Sequence, residues 1–492
     1  MRRNIAAQLA LIAIVALLGV VLVYPIWLTI EGAFLTRDGR GFTLHHVLSV
    51  FADPILREGL LNSLLVATLV TILASIIAFP LAVVGARCRF AGQSVLSALV
   101  LLPMILPPFV GAIGMRHLLG RMGAINALLI DLGVVSRPID FLAGGGLWGV
   151  VLVLALSLYP ILYLNLVAAL ANLDPALEEA AENLGASRFT RFRRIVLPLV
   201  RPGFFAGGTI VFIWAFTELG TPLMFEFHRV TPVQIFNGIK EIADSRQPYA
   251  LVAVMLAVAA GLYTLGRIAF GGRAYAMYAK ASIQSQPTRL TGAKAAGAAA
   301  LFAGVTLVAA LPHLSVVLAS VAVPGRWYES ILPQAFTLGH LHAAVSHPLA
   351  ADAIRNSLVY ASAAMAIDLV LGLAIARLLV RTRVRGRGLL DALAMLPLAV
   401  PGLVMAFGYV AMTLRWPFAG GPLSRWADVV GAEPNPVLLL VIAYAVRRLP
   451  YVVRAAVAGL EQTSTELEEA ALNLGATRLT MLRRVVVPLI AA

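Results

Sequence analysis

Two stretches of this 492-residue chain set acid, glycine and base in the same order. Residues 178–198 read EEAAENLGASRFTRFRRIVLP and residues 468–488 read EEAALNLGATRLTMLRRVVVP, identical at 14 of 21 positions. Their order is that of a helix–turn–helix. Asp174-Pro175 supplies an N-cap and a first-turn proline, and Thr465 with Glu468 supplies a capping box. A short helix then ends near Gly185 or Gly475, where glycine permits a sharp turn into a second, basic helix, Arg188 to Arg194 or Arg478 to Arg484. A hairpin of this kind could merely fix topology at a membrane surface. Its duplication argues for a more exacting role.

The remaining chemistry-bearing residues are fewer. Asp368, Arg447 and Arg448 fall inside apolar runs, roughly 16–18 Å from the outer ends of their helices at ~1.5 Å per residue. A lone charge at that depth costs about 3 kcal/mol on insertion scales. The corresponding first-half positions are Ala74, Ser157 and Leu158, and this asymmetry favours a structural ion pair, Asp368 with Arg447 or Arg448, over a substrate site. His45, His46, His340, His342 and His347 read as exposed loop residues, not as iron ligands. The single Cys88 rules out an intrachain disulfide, and no spacing suits a metal site. With no GxxxxGK[ST] phosphate loop, any nucleotide hydrolysis belongs to another chain. No acid/base cluster recurs in both halves, which argues against a membrane-embedded enzyme, and no cofactor is expected.

The elements that carry these residues are membrane spans. Sixty per cent of the chain is apolar and 13% charged, against about 25% charged in soluble domains, and the mean hydropathy is +0.89. Spans are expected near 5–30, 60–85, 94–115, 147–170, 203–221 and 250–270, then near 295–323, 355–380, 389–414 and 436–460. The first run is too long for a signal peptide and has no small-residue cleavage site, so it reads as a retained helix. Pro80, Pro103, Pro107, Pro397 and Pro401 inside spans point to a packed bundle. The net charge of +14 comes from short clusters between spans, which suits membrane topology and not a nucleic-acid groove. Twenty-one basic residues fall in the segments inside if the N-terminus is cytoplasmic, and twelve in the outer ones, so the N-terminus reads as cytoplasmic.

The chain is also repeated. Phe42-Thr43-Leu44 recurs as Phe336-Thr337-Leu338, Asn62-Ser63-Leu64 as Asn356-Ser357-Leu358, and Pro103 with Pro107 as Pro397 with Pro401, all 294 residues on. The hairpins recur at an offset of 290. Six spans in the first half make the repeats parallel. The halves are expected at 1–280, with its loop at 172–198, and 281–492, with its loop at 463–488, joined by a polar, Gly/Ala-rich linker near 271–294. After Pro198 the first half continues with two spans, while the second stops four residues after Pro488; two further helices are expected to complete it.

The duplicated segment resembles the EAA motif of ATP-binding-cassette (ABC) importer permeases: Glu-Ala-Ala, three residues, Gly, nine residues, Ile, one residue, Leu-Pro. Glu179-Ala180-Ala181, Gly185, Ile195 and Leu197-Pro198 fit it fully. Glu469-Ala470-Ala471, Gly475 and Pro488 fit with Val485 and Val487 in place of Ile and Leu. The resemblance implies an all-α, polytopic transmembrane helix bundle of two tandem type I importer permease repeats in the bacterial inner membrane. It assigns coupling to an ATPase to Glu179, Ala180, Ala181, Gly185, Pro198, Glu469, Ala470, Ala471, Gly475 and Pro488. It further implies two copies of an ABC ATPase subunit and a periplasmic substrate-binding protein as partners. Two fused permease domains, with Glu218-Leu219-Gly220-Thr221-Pro222 and Gly271-Gly272-Arg273-Ala274-Tyr275, are similar to iron(III) permeases; thiamine, polyamine and phosphonate permeases stay open. A secondary transporter is the rival reading, and the duplicated loop counts against it.

Overall fold

The computed structural model describes residues 2–36, 39–142, 146–242, 244–270, 287–327, 330–417 and 435–491. The stretch 271–286, with the motif at 271–275 and most of the expected linker, lies outside them. Among the described residues the fold is all-α. Extended pairing is confined to Cys88–Arg89 beside Thr288–Arg289 and to two isolated bridges. Among the described residues, seven helices are long and apolar enough to cross a membrane, nine if each of two bent pairs counts as one span. The tenth expected span is the helix Val437–Gln462, which is less apolar because Arg447, Arg448 and Arg454 lie along it.

The helices group into two compact units, and neither is contiguous in sequence. One comprises Met1–Leu48, Gly238–Leu256 and His347–Ala492; the other comprises Ser49–Asn237 and Ala257–Ser346. Each unit therefore takes its leading span from the opposite sequence repeat.

In the second of these units Pro54–Arg87 lies against Leu147–Ala171 and Leu197–Phe216. Its buried stripe, Ser63, Val66, Ala67, Val70, Ala74, Ala78 and Leu81, follows helical spacing and is built largely of small residues. Between membrane helices such residues let backbones approach closely, because lipid offers no hydrophobic drive to associate. A Cβ on Gly207, for instance, would stand 2.9 Å from Leu162 Cδ1. The leading span Gly292–Val321 packs on Pro108–Leu119, so tightly that a Cβ on Gly114 would collide with the Pro312 carbonyl.

The other unit repeats this plan. Pro348–Arg381 packs on Val437–Gln462, and a Cβ on Gly372 would sit 2.7 Å from Val452 Cγ1. Leu11 and Leu18 of the leading helix join a core with Ile375, Leu390, Leu449 and Val453. Here Gly408, which corresponds to Gly114, takes the place opposite Pro25; its Cβ would stand 2.8 Å from that carbonyl.

Of the three expected spans that carry Pro80, Pro103 with Pro107, and Pro397 with Pro401, the one with Pro80 is continuous and the other two are broken. Gln93–Met104 meets Pro108–Asp131 at 94°, and Arg387–Ala399 meets Gly402–Leu414 at 106°. Proline removes amide donors and leaves carbonyls unpaired at a break, and within a membrane these need other donors. Tyr159 donates its hydroxyl to the Val100 carbonyl at 2.8 Å. In the other unit Arg447 Nη1 donates to the carbonyls of Pro397 at 2.8 Å and Val400 at 3.2 Å.

Candidate docking site

Each duplicated stretch folds as a helix–turn–helix. In the first, Asp174 accepts from the Ala176 amide at 2.9 Å and caps Pro175–Asn183. The helix closes through Gly185 N–H to the Glu182 carbonyl and Ala186 N–H to the Ala181 carbonyl, 2.8 and 2.9 Å. Gly185 has φ +80°, a left-handed turn that costs a residue with a Cβ more than it costs glycine. Ser187 then caps Arg188–Arg191, which runs through a π-turn, Phe192–Val196, into the span Leu197–Phe216.

The second stretch copies these features, with Gly475 at φ +85°, Thr477 capping Arg478–Met481, and a π-turn at Leu482–Val486. One detail differs from the sequence reading. Ser464, not Thr465, caps Thr465–Asn473 by accepting from the Glu466 amide. The Glu468 carboxylate, expected in a capping box, is engaged elsewhere.

The structure holds all ten motif residues on these two hairpins, and all but the prolines have matching exposure. Glu179, Ala180 and Gly185 are exposed, as are Glu469, Ala470 and Gly475; Ala181, Ala471 and Pro198 are half-buried, and Pro488 is exposed. Beside them stand apolar side chains that sequence reasoning did not single out. Leu184 is 87% and Leu474 89% exposed, at the C-caps of the short helices. Phe189 and Leu479 are exposed one turn beyond the glycines. A leucine in water beside an acidic helix suits contact with another protein.

Two ion pairs also went unread. Arg87, in the last turn of Pro54–Arg87, meets both carboxylate oxygens of Glu178, with Nη1 to Oε2 at 3.0 Å. In the other hairpin Arg381 Nε donates to Glu468 Oε1 at 2.8 Å, and Arg377 lies 3.4 Å from Glu468 Oε2. The signal was present: Arg87 and Arg381 share the 294-residue offset, and Glu178 and Glu468 the 290-residue one.

The intramembrane charges are not brought together as a direct ion pair. Asp368 is buried on the stripe of Pro348–Arg381, 3% exposed, and its Oδ1 has no hydrogen-bond partner among the described residues. Arg447 is held by the broken-helix carbonyls instead, and Arg448 is exposed. Just beyond the C-terminal end of Leu197–Phe216, Glu218 Oε1 accepts from Thr221 N–H and hydroxyl at 3.2 and 3.3 Å. Burial pushes its carboxyl up from the ordinary value of 4.5. Among the described residues no group of three acids, histidines or cysteines could hold a metal ion. His340 Nε2 instead contacts the Ala322 carbonyl at 3.1 Å.

Residues 78–271 and 368–492 match the family described as binding-protein-dependent transport system inner membrane component. The chain is 28% identical, over 98% of its length and 73% of the relative's, to the putative ferric transport system permease protein FbpB 1 of Haemophilus influenzae. It is 27% identical, over 98% of its length and 67% of the relative's, to the ferric transport system permease protein FbpB of Actinobacillus pleuropneumoniae. The spermidine/putrescine transport system permease protein PotB of Haemophilus influenzae is 34% identical over 38% of this chain and 67% of its own length.

Proposed function

This chain belongs to the family of binding-protein-dependent transport system inner membrane components, and from that premise we propose that it carries ferric iron across the inner membrane. It is a multi-pass permease subunit of an ABC importer and not itself an enzyme. A periplasmic binding protein delivers the ion, and two ATPase subunits supply the energy, one on each hairpin. The N-terminus lies in the cytoplasm, on the side of both hairpins, as the distribution of basic residues suggests.

The observation that carries docking is the duplicated hairpin: two matching surfaces, each with an exposed leucine, an exposed glutamate and a left-handed glycine. Glu179, Ala180, Ala181, Gly185 and Pro198 form one surface, and Glu469, Ala470, Ala471, Gly475 and Pro488 the other. Support for ferric iron comes from two relatives matched across both halves that carry ferric transport names, whereas the polyamine permease matches 38% of the chain. In the proteoliposome-reconstituted importer, ferric-loaded binding protein should stimulate ATP hydrolysis and drive iron uptake. Stimulation by spermidine-loaded protein, with none by the ferric form, would replace iron with a polyamine. No stimulation by any loaded binding protein, with no ATPase bound, would remove the docking assignment.

A further inference from the structure

A nine-residue helix has little stability of its own in water, so something must fix the direction in which Pro175–Asn183 and Thr465–Asn473 point. Covalently, each hangs between a cap and a glycine turn. Noncovalently, the first has two ion pairs, Glu178 with Arg87 and Glu182 with Arg191. The second hairpin has Leu472 and Met481 where the first has Glu182 and Arg191, packed into an apolar cluster. Only the link to the long span is an ion pair in both: Arg87 to Glu178, and Arg381 with Arg377 to Glu468.

That link has the geometry of a strut. Arg87 grips Glu178 through two nitrogens at once, an arrangement that fixes orientation as well as distance. Arg381 is braced further, its Nη2 donating to the carbonyls of Leu460 and Thr463 at 2.9 Å each. Glu468 is 12% and Arg381 14% exposed, against 24% and 30% for Glu178 and Arg87, so solvent screens the second strut less. Both arginines occupy the last turn of a 34-residue helix. Four residues fewer separate the partners in the second half, yet the pairing is kept.

We propose that Arg87–Glu178 and Arg381–Glu468 are positioning pairs that transmit displacement of each docking helix to the long span, Pro54–Arg87 or Pro348–Arg381. Coupling of this kind rests on the docking reading above; orientation of the hairpin does not. Two measurements separate them.

The first uses the chain alone in nanodiscs, with Cys88→Ser and a nitroxide at position 184. Arg87→Glu and Glu178→Arg should each free the label, shortening its correlation time several-fold, and the double charge swap should return it to the parent value. The second uses the assembled importer. Each single reversal should lower iron uptake per ATP hydrolysed about tenfold, the weight of one bidentate charged contact, and the swap should restore most of it. Glu178→Gln, which keeps the shape and one acceptor, should fall between and guards against misfolding of the reversed variants. Nitroxide spectra unchanged in both single variants would overturn the strut whether or not an ATPase binds. Freed labels with unaltered uptake per ATP would overturn transmission. A parent chain that binds no ATPase would sink docking, while the nitroxide series would still decide the orientation role.

Discussion

Truncating the exposed leucines of the hairpins should weaken ATPase binding by an amount the structure sets. Leu184 and Leu474 are 87% and 89% exposed in the free chain, so nearly all their apolar surface is available to a partner groove. Leucine carries three carbons more than alanine, and burial is worth about 0.8 kcal/mol per carbon, or roughly 2 kcal/mol at full burial. That corresponds to about a 30-fold rise in the dissociation constant at each site. Both residues are C-caps with ordinary backbone angles, so alanine leaves the helices and the left-handed glycines after them undisturbed. Titrating labelled ATPase subunit onto the chain in nanodiscs would read the effect. Leu184→Ala and Leu474→Ala should each weaken one of two sites, and the double variant both. Leu132→Ala, also exposed but outside both hairpins, should change nothing. Binding within about twofold of the parent for both hairpin variants would refute burial of these leucines at the interface.

Gly114→Ala should cost about 1–3 kcal/mol, because the new Cβ meets the rigid backbone of Pro312, an overpacking that side-chain rotation cannot relieve. Gly111→Ala, whose Cβ would find nothing nearer than 3.6 Å, should be neutral or stabilise by up to about 1 kcal/mol through helix propensity; thermal unfolding of the two variants checks the order. Glu218→Gln should raise stability above the wild type at pH 8 and match it at acid pH. The raised carboxyl favours the folded state fully below its unfolded value, and that contribution is lost as pH rises through the folded one; melting curves across pH would show it. Arg447→Leu should lower the yield of folded protein, since it strips the donor from two carbonyls at a break at about 1–3 kcal/mol each. Arg447→Lys should recover part of it. Equal yields of Leu and Lys variants would dismiss that role.

Much of the site was legible because it is local. Caps, helix lengths and glycine turns at 172–198 and 463–488 depend on residues within a few positions, and the repeat supplied an internal check on each. Span positions followed from the length of apolar runs, but the breaks did not: Pro80 carries the same local signal inside the unbroken helix Pro54–Arg87, so which prolines break a span depends on the packing around them. The cap at Ser464 in place of Thr465 was a choice between neighbours, decided when a distant arginine claimed Glu468.

Long-range pairings were decided only by the tertiary structure. Nothing local tells Gly114 to take the carbonyl of Pro312, or Gly408 that of Pro25, so the exchange of leading spans between the repeats could not be read from periodicity. Asp368 and Arg447 share a depth by residue count, yet depth says nothing about direction around a helix axis. Arg447 turns to the unpaired carbonyls of a broken helix, which in a membrane have no water to satisfy them. Arg87 and Glu178 are 91 residues apart, and two charges that far apart in sequence become a strut only when packing brings the foot of one helix to the first turn of another.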